Sequence, residues 1–317
     1  MTTIGKYRRL TRCSDARGLF HILACDHRGN LRGRLTQRGR PIDDEGFVRF
    51  KQQLLQSLLH DATAVLADPQ FGFGPAFAER IIPGHVGTLS PLEVTDYDAP
   101  PAEQGFTEIP GWNIAKCLRA GVDGVKLLLP YHPRAENADA KREWVSHIVA
   151  QCALWDVPFF LEPIVHSRVA NEPLSHSELI QAMVAMVVEF AGIGVDVLKL
   201  QFPVDVSHNH DEAFWSTACR ELDAACTVPW TLLSAGVDYP IFARQARVAC
   251  AAGASGVIVG RAVWAEAVNL AERERAAFLQ EVGRQRMAEL AAIVGSGRPW
   301  WEKLQPIGAR GEWYRDY

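Results

Sequence analysis

No two of the seven cysteines form a CxxC pair, and their number is odd, so the sequence holds neither a disulfide framework nor a zinc ribbon. Reduced thiols in a cytoplasmic protein are the expectation, with Cys25 read as packing rather than as a nucleophile. Positive charge is not in excess: the formal net charge is −4, and no basic surface points to a nucleic-acid partner. A long uninterrupted apolar run is also missing. The first residues, MTTIGKYRRL, are basic without an apolar core, so no signal peptide is read there. The most apolar later segment, 179–200, contains Gln181, Glu189, Asp196 and two glycines, and does not read as a membrane span. No HExxH pair occurs. His208-Asn209-His210-Asp211 lies in a polar loop before a helix and reads as a solvated cap, so no metal and no cofactor is expected.

What the sequence does have is 48% hydrophobic residues in short runs: 21–26, 63–69, 85–93, 122–130, 157–163, 195–203, 229–236 and 255–262. Most are near-continuous rather than alternating, the pattern of strands buried on both faces of a parallel sheet. Between them stand segments with apolar residues at three- and four-residue spacing, such as FVRFKQQLLQSLLH, AKREWVSHIVAQCALW, HSELIQAMVAMVVEFAG and YPIFARQARVACAAG. Asp43, Ser175 and Asp211 are placed to start helices. Eight strand–helix units predict one (β/α)₈ TIM-barrel domain over 1–317, with a long loop near 94–111 and an aromatic, basic C-terminal extension, 295–317, packed on the barrel or at a subunit interface. The competing open, doubly wound sheet lacks its GxGxxG turn after the first strand.

In such a barrel the C-terminal strand ends face the active site. Those ends collect Asp26, His27, Arg28, Asp68, Glu93, Lys126, Glu162, Lys199, Gln201, Ser234 and Arg261. Two of the runs nearly repeat, GVDGVKLLLP at 121–130 and GVDVLKLQFP at 194–203, each with one lysine in a buried strand. A desolvated lysine with a second cation nearby has a lowered pKa, and its free amine can attack a ketone to form a Schiff base. Position in the chain does not decide which of Lys126 and Lys199 forms that bond. A lysine paired with Glu162, or reaching water at the barrel mouth, is the other reading. Glu162 is placed for general acid/base work or for a salt bridge. Ser234, Gly236, Gly260 and Arg261 close the last two units, where (β/α)₈ enzymes commonly hold phosphate.

The ordered pieces CDHRGNL (25–31), LEVTDYD (92–98), GWNIAKCLRAGVDGVKLLLPY (111–131), PFFLEP (158–163), GVDVLKLQFP (194–203) and LLSAGV with GVIVGRAVW (232–264) carry a resemblance. The chain resembles the class I, Schiff-base aldolases that cleave tagatose 1,6-bisphosphate, together with their sulfofructose 1-phosphate relatives. That resemblance implies a metal-free (β/α)₈ barrel with Lys199 as the Schiff-base lysine, Lys126 as its cationic neighbour and Glu162 as the proton-transfer carboxylate. It implies that Asp26 contacts substrate hydroxyls or the reacting lysine, and that Ser234, Gly236, Gly260 and Arg261 hold the phosphate of a dihydroxyacetone phosphate half. His27 stands where the family usually has glutamine, Gln201 where an acidic residue is common, and Asp96 where glycine is common. These departures bear on the distal part of the substrate and leave the lysine chemistry intact.

The expected protein is a cytoplasmic aldolase, expected to be a homo-oligomer, acting on a small-molecule ketose phosphate and needing neither nucleic acid nor membrane. Another ketose or ketose acid, or a sugar-phosphate-binding regulator without turnover, are the alternative readings; Lys126, Glu162 and Lys199 together argue against the regulator, since a binding module needs no electron sink.

Overall fold

The computed structural model describes residues 2–36, 42–94, 99–101, 103–169, 172–309, 311–315 and 317. Eight parallel strands close on themselves in chain order: β1 (Phe20–Ala24), β2 (Ala64–Leu66), β3 (Gly87–Pro91), β4 (Gly124–Tyr131), β5 (Phe159–Val165), β6 (Val197–Leu200), β7 (Trp230–Leu233) and β8 (Gly256–Val259). Every predicted apolar run overlaps one of them, with β1, β4 and β5 each reaching one or two residues beyond their runs, and the predicted (β/α)₈ barrel is the observed architecture. Closure depends on a glycine. At Gly256, where β8 meets β1, φ is +133° and a Cβ would lie 1.9 Å from the Phe20 carbonyl oxygen.

The helices between strands start where their capping residues predict. The side chain of Asp43 accepts from the Gly46 amide, Ser175 forms a capping box with Glu178, and Asp211 accepts from the Ala213 amide. The last of these places Asp211 as a cap. Among the described residues one helix, His176–Ile193, is long and apolar enough to cross a membrane. Its Leu179, Met183, Met186, Val187 and Phe190 are buried in the shell between helices and sheet.

Inside the barrel the side chains form two zones. The lower one is dry: Phe20, Ile22, Leu66, Leu89, Phe160, Val197 and Ile258 meet Leu10, Cys13 and Trp300 from outside the sheet. Trp300 belongs to the C-terminal extension, and Leu10 to the first helix, Ile4–Cys13. Trp300 stacks near Phe20, lies edge-on to Tyr7, and donates from Nε1 to Ser14 Oγ at 3.0 Å. The extension therefore packs under the N-terminal ends of the strands, away from the predicted site. Around this zone Lys6 pairs with Asp196 at 2.8 Å, and Asp223 holds Arg298 and Lys303 at 2.7 and 2.8 Å. The upper zone is polar and open.

Of the predicted loop 94–111, the described part turns back on the end of β3. The Val94 amide donates to the Thr107 carbonyl, and the Ile109 amide to that of Leu92. Asp96 and its neighbours 95, 97 and 98 lie outside the described residues.

Candidate active site

Period two along a strand sends alternate side chains into the barrel. On β4 that face carries Lys126, Leu128 and Pro130; on β5 and just past it, Glu162, Ile164 and His166; on β6 and just past it, Lys199 and Gln201. These line a cavity of about 720 Å³ at the C-terminal strand ends, together with Asp26, His27, Arg28, Ser234, Gly260 and Arg261. Ten of the eleven residues predicted for the site thus meet in one chamber. Gly236 does not line it. It sits behind Arg261, where a Cβ would stand 3.3 Å from the guanidinium carbon.

The two lysines are not equivalent. Lys126 Nζ lies 2.9 Å from Glu162 Oε2, 2.8 Å from Glu93 Oε1 and 3.2 Å from Asp26 Oδ2. Burial alone would push its pKa down, but Glu162, Glu93 and Asp26 more than reverse this and hold it well above the ordinary lysine value. Lys126 is a fixed ammonium. Lys199 Nζ, equally buried, has a single ionic partner among the described residues, the same Glu162 Oε2, at 2.9 Å. One carboxylate oxygen therefore bridges both amines. The simple picture of one bare cation weighing on the other is corrected by this geometry, because three carboxylates surround the charge on Lys126.

The carboxylates differ as well. Burial would raise Asp26, yet Lys126, with His27 and Lys199 behind it, brings it well below the usual carboxylate range. Glu162 is likewise lowered, by Lys126 and then Lys199 acting against burial. For Glu93 burial wins over Lys126, its pKa is raised, and its Oε2 is buried with no hydrogen-bond partner among the described residues. Sequence reading placed Glu93 at a strand end without giving it a partner.

On the β1 side, His27 packs edge-on to Trp264, with ring centroids 5.4 Å apart, and its Nδ1 is 3.9 Å from Asp26 Oδ1. Burial, with Arg261, Lys199 and Lys51, outweighs Asp26 and pushes its pKa down to about 4, so it is neutral at pH 7. Arg28 donates to the Glu93 carbonyl, tying the β1 exit to the β3 exit. Gln201 Oε1 accepts from the Val165 amide at 2.9 Å. On the adjoining wall Ser234 and Gly260 end β7 and β8, with β8 paired to β1. The Arg261 side chain there makes no hydrogen bond or ion pair among the described residues, leaving a guanidinium directed to no protein anion.

Two candidates have other places. Asp68 is fully buried and paired with Lys51, whose Nζ also donates to the Cys25 carbonyl at 2.9 Å. The Cys25 thiol, pushed up to about 12 chiefly by burial, is packing as expected. Lys51 escaped sequence reading although a signal was present: in FVRFKQQLLQSLLH it falls on the apolar stripe of Phe47, Phe50, Leu54 and Leu58. His166 also escaped; it continues the inward face of Glu162 and Ile164 past the end of β5.

Residues 20–266 match the description of the DeoC/LacD family aldolases. The chain belongs to that family. Among curated relatives, "Tagatose 1,6-diphosphate aldolase" of Listeria monocytogenes is 31% identical, with 95% of each chain covered. "Tagatose 1,6-diphosphate aldolase 2" of Streptococcus mutans is 30% identical, over 94% of this chain and 97% of that one. Among solved structures, an archaeal fructose 1,6-bisphosphate aldolase aligns over 90% of this chain and 99% of its own with a TM-score of 0.59 at 16% identity. Fructose-bisphosphate aldolase from Plasmodium falciparum aligns over 93% and 95% with a TM-score of 0.70 at 14% identity. These two share the barrel. As a member of this family the protein is an aldolase, a carbon–carbon lyase.

Proposed function

We propose that this aldolase reversibly cleaves a phosphorylated ketose to dihydroxyacetone phosphate and an aldehyde through a Schiff base on Lys199. The substrate is tagatose 1,6-bisphosphate or a close analogue such as a sulfofructose 1-phosphate. One observation carries the choice of lysine: among the described residues Lys126 is held by three carboxylates, whereas Lys199 pairs with Glu162 alone.

In this reading the ketose phosphate lies against Ser234, Gly260 and Arg261, with Gly236 making room behind the guanidinium, a charged bidentate contact. The Lys199 amine attacks C2, after giving up its proton to Glu162 at 2.9 Å. Glu162 then returns a proton to the carbinolamine hydroxyl, which leaves as water to form the iminium. Glu162, a carboxylate again, or the substrate phosphate takes the C4 hydroxyl proton as the C3–C4 bond breaks, and the electron pair passes into the iminium as an enamine. The aldehyde departs, the enamine is protonated, and hydrolysis frees Lys199. Lys126 keeps Asp26, Glu93 and Glu162 together and offsets negative charge as protons move. Asp26, His27, Arg28 and Gln201 contact the distal half. The chain works as one barrel domain, in the cytoplasm and as a homo-oligomer, for which the exposed pair Leu154 and Trp155 offers an apolar surface.

Borohydride reduction in the presence of dihydroxyacetone phosphate, followed by peptide mass mapping, tests the assignment. An adduct on Lys199, lost in Lys199→Met, is the expected result. An adduct on Lys126 would reverse the two roles, and no adduct at all would overturn Schiff-base chemistry. Retro-aldol rates over a panel of ketose phosphates then rank the substrates.

A further inference from the structure

The pair Lys51–Asp68 takes no part in the chemistry above, yet both residues are completely buried. Such a pair is costly to desolvate, and apolar replacements of similar size are often neutral or stabilising. Stability alone therefore gives little reason for it. Its connections give a geometric one. Lys51, on the helix Asp44–Leu58, donates to the carbonyl of Cys25, the residue immediately before Asp26. Asp68 meets Lys51 with Oδ2, while its Oδ1 accepts from the amides of Gln70 at 3.1 Å and Phe71 at 2.8 Å. Asp26, Gln70 and Phe71 all line the cavity, and β1 and β2 are paired neighbours. One buried charge pair thus fixes the points where the chain leaves both strands, and through Asp26 it reaches Lys126 at 3.2 Å. No bond from the pair runs to Ser234 or Arg261, on the wall assigned to the ketose phosphate.

We propose that Lys51 and Asp68 are positioning residues for the carbon–carbon cleavage half of the site, acting through Asp26 and the Gln70–Phe71 wall and not on the dihydroxyacetone phosphate half. This rests on the Schiff-base reading given above. A purely structural pair would change both halves equally or neither; a positioning pair separates them.

The test is the double variant Lys51→Met/Asp68→Leu in the full chain, read three ways: thermal midpoint, borohydride-trapped adduct with dihydroxyacetone phosphate, and kcat for cleavage of tagatose 1,6-bisphosphate. The expected result is a midpoint lowered by no more than loss of the Asp68 cap accounts for, unchanged trapping, and a kcat lowered by about tenfold or more, as small misplacements of reacting groups commonly produce. Should the double variant not fold, Asp68→Asn keeps the shape and the acceptor for Gln70 and Phe71 while weakening the tie to Lys51, and it is read in the same way. Equal losses in trapping and cleavage, or no loss in either, would overturn the proposal. Absence of an adduct in the unsubstituted protein would overturn the Schiff-base reading and this proposal with it, whereas an adduct with unchanged cleavage in the variants removes only this one.

Discussion

Lys126 and Lys199 occupy matching places in two near-identical stretches, yet the carboxylates around them make them different chemical groups. The partners that distinguish them come from other strands, 33 residues from Lys126 in the case of Glu93 and 100 in the case of Asp26. Local sequence can indicate that a lysine points inward; it cannot count the acids that the barrel brings around it. Lys126→Met would leave Asp26, Glu93 and Glu162 facing one another without a cation. A loss of about 3–5 kcal/mol is expected for breaking a buried ionic cluster on one side. Urea unfolding at pH 7 measures it, with cleavage activity lost in the same variant.

At the scale of elements, the eight strands were legible because each is buried on both faces and so reads as a continuous apolar run with a polar residue at its C-terminal end. The capping residues were legible because an N-cap is a local device. The C-terminal extension was not: the contacts that place Trp300 are with Phe20, Tyr7 and Ser14, almost the whole chain away. Nor was the tie from Lys51, which needs the helix, β1 and β2 together. Trp300 completes the dry lower zone, and removing its ring leaves a cavity that the strands cannot collapse to fill. Trp300→Ala is expected to cost about 3–5 kcal/mol of stability. Its kcat and KM, measured below the new melting temperature, should stay at the parent values, since the cavity lies at the other end of the strands. A changed KM would show that the two ends of the barrel are coupled.

For the whole molecule, acid is the sensitive direction. His21, buried in β1, and His27, partly buried just past its end, are each pushed down to about 4, mainly by desolvation. An unfolded chain would protonate both near pH 6.5. The folded state thus binds fewer protons between pH 6.5 and 4, so stability is full above that window and falls as pH drops through it. Each histidine contributes on the order of 3 kcal/mol to that fall. Below it, Asp26 and Glu162, whose pKa values are lowered, extend the loss. Thermal midpoints measured from pH 8 to 4 should decline most steeply across the histidine window, and His27→Gln should flatten the decline by removing one contribution.

The two described ends of the chain clasp each other beneath the barrel. Thr2 bridges to Pro306, the Ile307 amide donates to the Thr2 carbonyl, and the Gly5 amide donates to the Tyr317 hydroxyl. Anything joined to either end, such as an affinity handle, a surface tether or a second enzyme, would hang from the floor of the barrel and leave its mouth clear. A short peptide could also link the ends into a ring, so that the molecule could be reopened at an exposed turn elsewhere with the chamber undisturbed.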